Sequence, residues 1–597
     1  MGKSMERKDI QKEYKWKTED LFESDEAWEA EFRAAEQELS QTDFSVYSGK
    51  LADKQTLLAC LQKMDEVARR LEKLYLYAHL RHDEDLRDSK QSSSHAVILA
   101  LYSKTFAEFS YVEPELTAID SATLDAFIQD EDFAAYEYRL RKVAKSKEHV
   151  LGAGEEKLLT LASEVMGGFQ SVFMMLDNAN LNLPKATLNG EEVQMTHGGY
   201  GLALHNGTAE ERKEWFEKYY DSYIRLIDAI TQTYYNNVKK DVFYKTARGY
   251  TTCMEMAMAA EDVPAIVYEN LLEATHEALP ILHDYIALRK EVLGLEEQHL
   301  YDLFVPLVEN ADIKLPFDEA YAQVVEGLAP LGKDYQEILR KAKKDGWMDV
   351  YETDGKRSGA YSSGVYVSPH PYVLLNYQPT TNDMFTIAHE LGHAIHSYKS
   401  NAAQPYPKAD YTIFLAEIAS TVNEVLLLKH LYKNTQDKNV KKYLLSYYMD
   451  SIRATWFRQT QFAEFEQIAH AKAEAGEALT KECLNEEYYA LNKKYYGEGI
   501  THDSKIAYEW ARIPHFYSSF YVYKYATGII SAISIVKRIL SEGESAVKDY
   551  LAFLSSGGCT DPITILKKAG VDLTQKTPFE AAMQEFESVL QEFKSLL

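Results

Sequence analysis

The sequence predicts a mainly α protein, on three observations. Apolar residues recur every three or four positions over long stretches. Proline and glycine, 15 and 28 in 597 residues, are too sparse to break those stretches. Only two segments lose the helical period. A chain of this length exceeds one small core, so two or more domains or lobes are expected. With 46% apolar and 12% aromatic residues there is ample material for a buried interior, which excludes wholesale disorder.

The helical reading rests on stretches such as "DEAWEAEFRAAEQELSQ" and "LLACLQKMDEVARRLEKLYLYAHLRHDED", where charges fill the gaps between apolar positions. No fixed-period repeat is present, so a solenoid is not expected. The first interruption, residues 176–207, is rich in Asn, Gly and alternating Leu/Val, and predicts turns with one or two short strands. Its "GGYG" lacks the residues of a phosphate loop and reads as a turn. Thr208 and Glu211 then form a T-x-x-E capping box that opens a strong helix. A boundary is placed near residue 200, with 1–200 an N-terminal helical lobe and 201–597 a second domain.

The second interruption is "DGKRSGAYSSGVYVSPHPYVLLNYQP". Its Gly/Ser-rich first half predicts a mobile loop; "VYVS" and "YVLLNY" predict short strands. Such a loop and strand suit an extended peptide, which binds by adding to a strand edge. An ordinary connection between helices fits the composition equally.

Charge narrows the partners. With 92 acidic and 65 basic residues the net charge is −27, which repels nucleic-acid backbones and anionic membrane surfaces but accepts neutral or cationic peptides. Cys60, Cys253, Cys483 and Cys559 are far apart and form no C-x-x-C pair, against a disulfide framework and in favour of a reducing compartment. The N-terminal stretch is charged, without a signal-like apolar region, and no apolar run approaches the ~18 residues of a membrane span. A soluble, cytoplasmic protein is expected; the oligomeric state is not readable.

The chemistry concentrates in "TTNDMFTIAHELGHAIHSY". Pro379 and Thr380 mark a helix start, with Asp383 three residues on, and Met384, Ala388, Leu391, Ile395 and Tyr398 recur as a buried stripe. His389 and His393 are one turn apart, so both project from one face within reach of a single ion. Glu390 is placed for a water beside that ion rather than for the ion. This is the H-E-x-x-H arrangement of two imidazole ligands and a carboxylate base. His396, roughly 10 Å along the axis from His389, is too far to share the ion and is expected to pack or to support a ligand.

A catalytic zinc takes three protein ligands and leaves one position open. In "YTIFLAEIASTVNEVLLLKHLY", Glu417 lies between Phe414, Leu415 and Ile418, a costly place for a carboxylate unless it is paired or bound to metal. Glu417 is the expected third ligand. Glu424, two turns on, is expected to orient a ligand imidazole; a buried ion pair explains it as well. The plain alternative is a non-catalytic helical protein whose histidines are structural or whose metal only braces two helices. Such a site has no need of Glu390.

"HELGHAIHSY" followed by "FLAEIAS" resembles the thimet oligopeptidase family of zinc peptidases, in its bacterial oligoendopeptidase F branch. In that family the second histidine and the ligand glutamate are separated by about two dozen residues, and His393 and Glu417 fit this spacing. "HFYSSFYVYKYATG", His515 to Gly528, is similar to the family's tyrosine-rich motif, whose histidine and tyrosines face the substrate carbonyl. His515, Tyr521 and Tyr523 are carried over on that basis, although such aromatics also read as a core stripe. The similarity is strongest over residues 355–530 and extends to "YLYAHLRHDEDLRDS". It implies two helical lobes around a deep cleft that keeps folded proteins out, with a small antiparallel sheet next to the H-E-x-x-H helix. It also implies one zinc ion per chain, with short peptides as substrates. The expected activity is a zinc metallo-endopeptidase of short oligopeptides; a carboxypeptidase or dipeptidyl peptidase on the same scaffold is the alternative.

Overall fold

The computed structural model describes residues 5–308 and 311–597; the first four residues of the N-terminal stretch lie outside it. Helix accounts for 72% of the chain, and the described residues form five short strands in two small sheets. The chain forms two compact units, and neither is contiguous. One comprises Met1–Val150, Ile313–Lys433 and Ile535–Val571; the other comprises Leu151–Asp312, Asn434–Ser534 and Asp572–Leu597. These units do not coincide with a single division at residue 200, because the segment before that residue is shared between both.

In the first unit the long helix α1 (Lys54–Glu84) starts where Asp53 accepts a hydrogen bond from the Thr56 backbone N–H, and buries Leu57, Leu61, Leu71 and Leu74. These residues join Trp16, Trp28 and Phe44 in a core that also takes in Tyr372 and Leu374 from the sheet. The sheet orders β3 (Met348–Asp349), β5 (Tyr372–Leu374) and β4 (Tyr361–Ser363) with β5 central and wholly buried. β4 pairs with β5 antiparallel, Ser362 opposite Val373, as expected. β3 pairs with β5 in parallel, which corrects the expectation of a purely antiparallel sheet.

The strand positions also differ from the sequence reading. "YVLLNY" supplies β5, but "VYVS" is a turn closed by the Ser368 N–H and hydroxyl on the Val365 carbonyl. The outer strand comes instead from the Gly/Ser-rich half. Tyr361 anchors it: its hydroxyl donates to the fully buried carboxylate of Asp83 on α1. A nonlocal partner outweighs composition here.

Helix α2 (Thr381–Ala403) begins as predicted, with the Thr380 hydroxyl accepting from the Asp383 N–H, and buries Met384, Ala388, Leu391 and Ile395. Helix α3 (Ile413–Asn434) crosses it closely. A Cβ built on Gly392 would lie 2.6 Å from the Ser420 Cα, so only glycine permits this approach. Asn423 ties the two helices by donating to the Ala388 carbonyl at 3.0 Å.

In the second unit the first interruption forms a hairpin, β1 (Lys185–Leu188) and β2 (Glu191–Gln194). Asn189 and Gly190 at its tip have φ of 54° and 77°, the turn that Asn-Gly favours. The capping box of Thr208 and Glu211 is present, and Glu211 also accepts from the Gly190 N–H. Among the described residues one helix, Gly154–Asn180, is long and apolar enough to cross a bilayer by length and composition. This departs from the expectation that no stretch qualifies. Glu164 and two glycines interrupt the apolar run without lowering its mean hydropathy enough.

Candidate metal centre

Three polar side chains from two helices converge in the first unit. His389 and His393, one turn apart on α2, present their Nε2 atoms 3.2 Å from each other. Glu417 on α3 brings Oε2 to 3.5 Å from the first and 3.8 Å from the second. Among the described residues this is the one cluster of three His, Cys, Asp or Glu side chains with metal-binding spacing. A tetrahedral ion with Zn–N bonds of ~2.0–2.1 Å separates its ligand atoms by about 3.3 Å. The observed spacings sit around that value, so the residues fit a zinc ion.

The surroundings fix these side chains. The Nδ1 of His389 bonds to Oε1 of Glu424 at 2.5 Å, which leaves the Nε2 lone pair facing the cluster. His393 has a backbone hydrogen bond with Ala416 on α3, a partner with no signal in the sequence. Burial disfavours a charged His389, but Glu424, with Glu390 and Glu417, overrides it and raises the pKa to about 9. For His393 burial is joined by the nearby His389 charge, and the pKa falls to about 3.

Glu390 is buried beside the cluster. Burial, then the charges of Glu417 and Glu424 working against His389, push its carboxyl up to about 7. It receives a backbone hydrogen bond from Ser362 on β4, so the outer strand and the carboxylate adjoin. His396 does not join them. Its ring, 1% exposed, stacks 3.7 Å from Tyr411, and burial lowers its pKa to about 3. It is a packing residue, one of the two roles expected.

The tyrosine-rich stretch lies in the second unit. His515 is on a short helix, Pro514–Tyr517, and helix α4 (Tyr523–Glu542) follows. Between them Phe520 adopts φ 57°, rare for a bulky residue, with its N–H held by the buried Glu466 carboxylate at 3.1 Å. Tyr523 is 1% exposed and packs against Tyr268. The accessible groups are His515, Tyr521 and Tyr525, whose rings meet within 6.0 Å, with the Tyr525 hydroxyl 3.5 Å from His515 Nε2. Tyr525 is absent from the sequence-derived set. Its place four residues after Tyr521 in the same tyrosine-rich motif is the signal that could have found it.

Comparison with known proteins agrees with this arrangement. Residues 202–585 match Peptidase family M3, and residues 115–182 match a family described as Oligopeptidase F. Oligopeptidase PepF of Bacillus subtilis (strain 168) is 43% identical over 97% of this chain and 87% of its own length. Group B oligopeptidase PepB of Streptococcus agalactiae serotype III is 38% identical over 97% of this chain and 96% of its own. The crystal structure of oligoendopeptidase-F from Enterococcus faecium superposes with a TM-score of 0.74 at 32% identity, covering 95% of this chain and 99% of that one. With the histidine–glutamate cluster and these relatives together, the chain belongs to Peptidase family M3, in its oligoendopeptidase F branch, and is a metalloendopeptidase.

Proposed function

We propose that this protein is a zinc-dependent endopeptidase of short oligopeptides, with one zinc ion held by His389, His393 and Glu417. The convergence of those three side chains beside Glu390, with Glu424 behind His389, carries the reading. When bound, zinc polarises the scissile carbonyl and lowers the pKa of a water toward ~7. Glu390 then moves the protons. Its carboxylate, whose pKa is raised to about 7, accepts one from the attacking water and returns it to the departing amine. Strand β4 has an unpaired outer edge among the described residues, where an extended peptide can add. The family resemblance assigns His515 and a tyrosine hydroxyl of the 521–525 stretch as donors to the developing oxyanion.

The N-terminal helices act in this reading as the lid that limits substrate size. The net charge of −27 leaves nucleic acid and anionic membranes out, and four free thiols suit the cytoplasm. The test is direct. The purified protein should hold about one zinc per chain and cut a peptide blocked at both ends at an internal bond, while casein survives. Cleavage only of peptides with a free terminus would establish the exopeptidase alternative.

A further inference from the structure

Within the first unit a cavity of about 580 Å³ opens beside the metal centre. Two of its lining residues fix its place. Gly364 directly follows β4, and Ser397 lies one turn beyond His393 on α2. A peptide strand added to β4 and crossing the metal centre therefore runs past its mouth. Five tyrosines form much of the wall, among them Tyr406 and Tyr411. Two carboxylates, Glu72 and Asp410, complete it.

Three of the five tyrosine hydroxyls are occupied by the protein. Tyr406 donates to Glu72 at 2.6 Å, Tyr366 to the Gln404 carbonyl at 3.1 Å, and Tyr411 shares a hydrogen bond with Ser397 at 2.8 Å. Their rings are thus held as faces rather than as donors. The carboxylates have no cation within ion-pair distance among the described residues. Arg69 lies 5.7 Å over the Tyr406 ring and bonds to the Asp65 carbonyl, and its charge only partly offsets the burial of Glu72. Burial, first of all, holds both carboxyls above their ordinary range. Two carboxylates without an ion-pair partner, bordered by aromatic rings, are the chemistry that takes up an ammonium or guanidinium group, through charge and the negative faces of the rings.

We propose that this recess is a specificity subsite for a basic side chain, lysine or arginine, of the bound peptide. The proposal rests on the peptidase reading for its substrate and adds the residue type that substrate carries. A cation entering the recess meets both carboxylates, so the gain is largest for a fully charged side chain. The strongly acidic chain as a whole draws such peptides in.

The experiment uses pairs of short blocked peptides that differ only by lysine against norleucine, with the lysine moved through each position in turn. Zinc-loaded parent protein should prefer lysine at one position. The ratio of kcat/KM between the twins at that position should fall at least about tenfold in Asp410→Asn and in Glu72→Gln. Reading a ratio on one protein sample removes any loss of folded material. A ratio near one at every position in the parent, or a ratio unchanged in both variants, would overturn the subsite. Binding of the same twins to Glu390→Gln protein, followed by fluorescence anisotropy, separates the two readings. A lysine preference in binding by a protein whose parent cuts neither twin sinks the peptidase reading and leaves the subsite standing.

Discussion

Glu424 holds His389 by a hydrogen bond of 2.5 Å from one helix to the next, so the imidazole is aimed by a residue 35 positions away in sequence. Removing that partner should loosen the imidazole without removing the ligand. Glu424→Ala is expected to lower zinc affinity about 10- to 100-fold, measured by competition with a chelator. His389→Ala and Glu417→Ala should lose bound zinc altogether. Parent-like affinity in Glu424→Ala would leave the contact without a role at the metal.

Glu390 adjoins the cluster of His389, His393 and Glu417 without being one of its three members, so its loss should separate chemistry from metal binding. Glu390→Gln is expected to keep its zinc and thermal midpoint while losing ~10²–10⁴ in kcat. Turnover within tenfold of the parent would mean that this helix is not the reactive one.

The tyrosines give a sharper comparison, because burial ranks them. Tyr523, at 1% exposure against Tyr268, should tolerate conversion to Phe with a kcat within about tenfold of the parent. Tyr525→Phe removes an accessible hydroxyl beside His515, and loss of an oxyanion donor costs ~10²–10³ in kcat. If the two effects came out reversed, Tyr523 and not Tyr525 would be the donor.

Gly392 allows α3 to lie against α2. Alanine favours a helix over glycine by ~1 kcal/mol, but here its methyl would sit 2.6 Å from the Ser420 Cα and 2.8 Å from the Ala419 carbonyl. Overpacking of that kind costs typically about 1–3 kcal/mol and displaces the helix that carries Glu417. Gly392→Ala should therefore melt earlier and bind zinc more weakly. A variant with the parent's melting point and zinc affinity would show that α3 yields freely.

In the second unit Glu509 is buried between Arg458 at 2.5 Å and Arg512 at 2.7 Å, with the Tyr488 hydroxyl at 2.6 Å. Burial alone disfavours the carboxylate, yet the two guanidiniums prevail and lower its pKa from 4.5 to about 2. A carboxylate with a depressed folded-state pKa contributes stability that is complete above about 4.5 and is lost as pH falls through about 2. Glu509→Gln should cost about 3–5 kcal/mol at neutral pH, since it strands two buried cations. Urea midpoints across pH should show the gap between parent and variant closing below about 4.5. A gap independent of pH would place the stabilisation elsewhere.

The local parts of this molecule were legible in the sequence because they depend on neighbours a few residues apart. The Thr380 cap and the one-turn spacing of His389 and His393 are fixed by helix geometry, and the Asn189–Gly190 tip by turn preference. Even Glu417 could be named, since a carboxylate among Phe414, Leu415 and Ile418 demands a partner. What depended on distant contacts was not legible. The parallel pairing of Met348–Asp349 with Tyr372–Leu374, and the choice of "YSS" over "VYVS" as the outer strand, were decided by the core of α1 and the buried Asp83. Which tyrosine of the 521–525 stretch is accessible was decided by Tyr268 and by the strained turn at Phe520, held by Glu466. Periodicity states that a face is buried; only the packed neighbours state which one, because burial free energy belongs to the pair of surfaces that meet.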